Sequence, residues 1–171
     1  MHSYIGIAIT TMNLLQKILP TVTAEAHCDI PCGIYDPTPA KIAAQTVLRM
    51  VMQLAELKVP DNFEDPHVLN AYHNMVVRRI KVKEDHCHKC EDELHTLWVD
   101  FFKREHFEKY PRLHDMFWSA TELCSKNRQG VSEDAARELN VAVDEIAKVF
   151  YDVKKSPEKY EAYQVITDTL F

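Results

Sequence analysis

Between residues 39 and 150 the apolar side chains return every three or four positions, and nowhere do they alternate with a period of two. Ala43, Val47, Met50, Leu54 and Leu57 follow one another at steps of four and three. That rhythm puts them along one face of a helix, whereas a half-buried strand needs every second residue apolar. The whole chain holds only 3 Gly in 171 residues, too few for the tight turns of a β fold. The sequence therefore predicts an all-α protein, and at this length a single globular unit with one core.

Four helical segments account for the pattern. The first runs from about 39 to 58, with Thr38 as its cap and Pro39 in its first position. After a connection containing Pro60, Asp61 and Asn62, Asp65 and Pro66 restart a helix. Val68, Tyr72, Met75, Arg79, Val82, His86, Cys90, Leu94, Leu97 and Phe101 keep helical spacing along that second segment. Its middle is polar, so a bend or break is expected there. Pro111 opens a third segment with Leu113, Phe117, Ala120 and Cys124 on one face. A turn at 127–130 leads to a fourth, capped by Ser132 and carrying Leu139, Val143, Ile146 and Phe150. The expectation is an up-down four-helix bundle over residues 39–155. Residues 156–171 read as a charged tail, broken by Pro157, with a short terminal helix at most and no chemistry.

The net charge of −6 gives no purchase on nucleic acid or an anionic membrane, and a small diffusible substrate stays open. Five Cys, an odd number, fit no disulfide framework, which points to a reducing, cytoplasmic setting with free or metal-bound thiols. Residues 1–26 are apolar at the start but carry Gln16, Lys17 and Pro20, so they do not form a spanning helix. They end in Ala24-Glu25-Ala26, a small-x-small cleavage pattern, and are expected to be a leader removed by a maturation protease cutting after Ala26. Met12 is an alternative start within it.

Cleavage there would make His27 the new N-terminus, directly before Cys28 and five residues before Cys32. Imidazole and thiolate suit Zn, Cu or Ni better than hard Mg or Ca. Zinc is the weaker reading, because no second Cys/His pair follows at finger spacing. With a free α-amine, the site would offer that amine, the His27 imidazole, the Cys28 amide nitrogen and the thiolates of Cys28 and Cys32. Two nitrogens and two sulfurs in one plane, with the imidazole on the axis, match the preference of nickel.

The stretch HCDIPCGIYDP, residues 27–37, closely resembles the nickel-binding hook of nickel-dependent superoxide dismutases. WVDFFKREHFEKYPRLH, residues 98–114, is similar to that family's second recognisable block. The resemblance implies a nickel hook over residues 27–38, one nickel per subunit, a homohexamer of helical bundles, and superoxide as substrate, disproportionated to dioxygen and hydrogen peroxide through a Ni(II)/Ni(III) cycle. It implies His27, Cys28 and Cys32 as metal ligands, and Asp29 and Tyr35 as the residues that order the hook and gate access. Pro31 matches a proline with a cis bond, and Gly33 a position where backbone passes close to the metal. The chain also departs from the pattern. His86 stands where familiar members have Arg, Ala43 where they have a Glu that supports the axial imidazole, and Phe101 where a Tyr pairs with the gating Tyr.

Other clusters have plainer readings. Cys87 and Cys90 share a helix face and read as packing residues, with His86, His88 and His95 at the surface, rather than as a second metal or redox site. Cys124 reads as core. Trp98, Phe101, Phe102, Phe107, Tyr110, Phe117 and Trp118 form an aromatic cluster for core and interface packing. Lys103 and Lys109 are candidates for steering superoxide. A rival function, a nickel or copper carrier using the same hook, would not need the gate at Tyr35. A thiol oxidoreductase would need a low-pKa Cys at a helix N-terminus, which Cys28 is not.

Overall fold

The computed structural model describes residues 33–170. The expected leader and its expected cleavage site after Ala26, the candidate ligands His27, Cys28 and Cys32, and Asp29 and Pro31 lie outside the described residues. Helix α1 spans Thr38–Ala55, α2 Pro66–Thr96, α3 Arg104–Lys109, α4 Leu113–Gln129, α5 Glu133–Val153 and α6 Pro157–Asp168, with a π-helical turn over Leu97–Phe101. Four of these form the expected bundle: α1 packs on α2 and α5, and α4 packs on the same two. No helix among the described residues is long and apolar enough to cross a membrane.

The apolar stripes meet in the core. Leu94, Leu113, Phe117, Leu139, Ile146 and Phe150 are fully buried, each worth about 1.5–3 kcal/mol of transfer free energy. Cys124 is core, as expected. Trp118 is not: it follows Phe117 by one residue, points about 100° away round the helix and is 61% exposed.

Several boundaries differ from the sequence expectation for local reasons. Thr38 is the first residue of α1 rather than its cap. The Asp36 carboxylate accepts the Thr38 N–H at 2.8 Å, a bond from a side chain two residues upstream. Asp65 and Ser132 do cap α2 and α5, accepting from the His67 and Ala135 N–H groups. Helix α2 does not break at its polar middle. Lys83 is buried there and donates to the carbonyls of Asn127, Arg128 and Gly130 at the end of α4, so the polar residue is satisfied across the bundle. The irregularity comes later, where the Phe102 N–H reaches back five residues to the Leu97 carbonyl at 3.1 Å. The extra residue in that turn swings the chain into α3, an element the periodicity did not show.

The charged tail is mostly a packed helix. In α6, Tyr163 and Thr167 are buried. Gln45 of α1 donates to the Thr167 carbonyl at 2.5 Å. The Tyr163 hydroxyl donates to Asp144 of α5 at 2.8 Å, and the other oxygen of that carboxylate pairs with Lys41 of α1 at 2.6 Å. Two buried side chains on a twelve-residue helix make too thin a stripe to stand out in the sequence.

Candidate functional site

Tyr35 stands three residues after Cys32, on the strand of chain that leads from the expected hook into α1. Gly33 begins that segment with φ +70°, the left-handed region that glycine enters freely, and among the described residues a Cβ there would meet nothing within 4 Å. The positive φ alone accounts for a glycine at this position. Tyr35 is half-buried, its ring 5.7 Å from that of Phe101 at 53°. Phe101 in turn packs 4.4 Å from Phe150 and 4.8 Å from Phe102. The π-helical turn supplies Phe101 to this contact, so the irregularity in the helix builds the wall on which Tyr35 rests.

One lysine lies over the wall. Lys154, which sequence reasoning did not single out, places its ammonium 5.2 Å from the Phe101 ring centre and 5.7 Å from that of Phe150. Its signal was the spacing of four from Phe150 at the end of α5. Lys103 donates its ammonium to the Asp100 carbonyl at 2.8 Å, and its N–H to His106 Nδ1 at 3.0 Å, which leaves the ring proton of a neutral His106 on Nε2. Lys109, the other steering candidate, is engaged: it bonds the Tyr110 hydroxyl at 2.6 Å and Asp152 at 3.3 Å.

The departures from the familiar pattern take other roles. Ala43 is buried in the core. His86 Nδ1 lies 2.8 Å from the Val82 carbonyl one turn back, so it serves its own helix. Cys87, Cys90 and Cys124 are free and fully buried. Burial pushes the Cys87 thiol up to about 12, and a hydrogen bond with Cys124 together with burial raises Cys90 well above the ordinary range. Such thiols are poor nucleophiles and poor ligands. Among the described residues no group of three or more His, Cys, Asp or Glu is placed to hold a metal ion.

The described residues form a helical bundle with no donor cluster of its own, and in the sequence a His-Cys-x3-Cys segment precedes it, the outline of a helical metalloprotein. Residues 22–154 match the family of nickel-containing superoxide dismutases, and the chain belongs to that family. It is 32% identical to the superoxide dismutase [Ni] of Streptomyces coelicolor over 143 residues, 84% of this chain and 99% of the relative. The corresponding enzyme of Streptomyces seoulensis is 31% identical over the same length. The native crystal structure of a nickel superoxide dismutase superposes with a TM-score of 0.63 at 30% identity, covering 76% of this chain and all of that one. An apo structure gives 0.62 at 27%. Helix α6 lies beyond residue 154, outside the family match.

Proposed function

We propose that His27, Cys28 and Cys32 hold the nickel with which this chain disproportionates superoxide to dioxygen and hydrogen peroxide, and that Tyr35 gates access to it. The donor set fits the metal: two thiolates with amine, amide and imidazole nitrogens are what nickel takes in preference to the harder divalent cations. When bound, nickel supplies the one-electron couple that accepts an electron from one superoxide and returns it to a second. The observation that carries the reading is the family match, which includes all three ligands and Tyr35 within residues 22–154.

The chain's own residues serve the substrate. Superoxide is an anion and the protein is acidic overall, so local positive charge has to offset the net −6. Lys154, over the ring on which Tyr35 rests, supplies that charge, with Lys103 two residues after Phe101 as a second source. Lys109 contributes less, since Asp152 pairs with it. Tyr35 presents a phenol at the start of the body, and Phe101 brings no hydroxyl to it, so one hydroxyl takes the role that two share in familiar members. Asp29 orders the hook.

The same reading makes residues 1–26 a propeptide, the mature protein a cytoplasmic homohexamer, and cleavage after Ala26 the step that frees the His27 amine. Free thiols at Cys87, Cys90 and Cys124 support the reducing compartment. Metal analysis with intact mass tests the reading, the expected result being one nickel per chain beginning at His27. A variant retaining one extra Ala before His27 should keep its helical circular dichroism and lose dismutation by orders of magnitude, because an amide nitrogen is no substitute for an amine. Dismutation by that variant at the mature rate would remove the amine from the ligand set.

A further inference from the structure

Helix α6 begins after the family match ends, yet it is tied into the bundle at the place where the chain leaves the expected hook. Tyr151, near the end of α5, is 5% exposed and donates its hydroxyl to Asp36 Oδ2 at 3.1 Å. The other oxygen of Asp36 accepts the Thr38 N–H, so one carboxylate joins α5 to the first turn of α1. The ring of Tyr151 lies 6.0 Å from Tyr160 and 5.8 Å from Tyr163 of α6, and those two rings stack 5.9 Å apart at 16°. Tyr163 is itself anchored on Asp144, which Lys41 holds from α1.

We infer that α6 and Tyr151 form a clamp on Asp36 and thereby position Tyr35, so that the C-terminal helix of this chain sets the placement of its substrate gate. Asp36 is the next residue after Tyr35, and a carboxylate held at both oxygens leaves the preceding residue little freedom to turn away from Phe101. Without α6, the Tyr151 ring would lose the Tyr160 and Tyr163 rings from one side, and its bonds to Asp36 and Thr38 would have less packing behind them. Tyr151 is thus a positioning residue that acts through Asp36 and touches no substrate. The geometry explains why a helix beyond the matched residues 22–154 is packed rather than frayed. Burial keeps the Tyr151 hydroxyl protonated, its pKa pushed up to about 12, so it remains a donor at working pH.

The inference rests on the gating role of Tyr35, and its test separates the two. Amide hydrogen exchange is measured on the mature protein, metal-free and nickel-loaded, for Tyr151→Phe and for a chain ending at Lys155. Tyr160→Ala serves in place of the truncation if the latter loses helical circular dichroism. Exchange at residues 38–41 should accelerate about fivefold in each, as for loss of one net hydrogen bond, while the core of α4 and α5 stays protected. Nickel content should hold, and inhibition by azide should shift in the same direction as in Tyr35→Phe. Unchanged exchange at residues 38–41 in Tyr151→Phe, or in the chain without its α6 contacts, overturns the clamp even if Tyr35→Phe alters azide inhibition. Accelerated exchange with a Tyr35→Phe variant that is kinetically silent overturns the gate, and with it the functional half of the inference.

Discussion

Lys83→Met should destabilise the protein by about 2–3 kcal/mol, and the structure shows where the figure comes from. Lys83 is 1% exposed, and its ammonium donates to the carbonyl of Asn127 and, at 3.1 and 2.8 Å, to those of Arg128 and Gly130. These are acceptors at the C-terminal end of α4, where intrahelical donors run out and the helix dipole favours a cation. Methionine keeps the unbranched stem and its packing but donates nothing. Leaving the most buried acceptor unpaired costs about 1–3 kcal/mol, and losing the cation at the helix end about 1 more. Against this stands the relief of a desolvated ammonium, the same burial that lowers the Lys83 pKa from its ordinary value. For a chain of this size the net should lower Tm by about 5–10 °C. Calorimetry of the metal-free protein, with urea unfolding to check that m is unchanged, measures it. A Tm equal to or above that of the parent would refute the reasoning, because it would mean that desolvation of the ammonium outweighs its three bonds.

Four further outcomes are expected. Tyr35→Phe should retain full nickel content while turnover falls or azide inhibition changes, read by pulse radiolysis and by metal analysis; identical kinetics in every respect would count against the gate. Cys28→Ser and Cys32→Ser should each abolish redox-active nickel binding, whereas the double change of Cys87 and Cys90 to Ala should lower stability by a few kcal/mol and keep the metal; nickel loss in the double variant would show that the buried thiols matter to the site. Stability should be full below about pH 9 and decline as the pH rises through 12. Cys87 and Tyr151 are both raised to about 12 by burial, so the unfolded chain gives up these protons first, and alkali favours it. The urea midpoint followed from pH 7 to 11 checks the sign, and a rising midpoint would contradict it. Over the same range the three buried thiols should react with an aromatic disulfide reagent only after unfolding.

Much of this protein is legible one residue at a time. The bundle follows from steps of three and four among apolar residues, because helix geometry turns spacing directly into a shared face. The caps at Asp65 and Ser132 are local chemistry and were readable for the same reason. The donors proposed for the hook are also local in the sequence, since a candidate ligand set crowded into six residues can be read without the fold. What the sequence left undetermined depends on partners distant along the chain. The polar middle of α2 looked like a break because the carbonyls that satisfy Lys83 lie more than forty residues away. The π-helical turn that brings Phe101 to Tyr35 has no marker of its own, as one extra residue in a helix leaves the apolar rhythm almost intact. Lys154 meets Phe101 only because α5 lays its end there. Helix α6 carries its evidence on two buried side chains, and its bonds to Gln45 and Asp144 span 122 and 19 residues. Spacing along a chain reports which residues share a face, and only packing decides what that face meets.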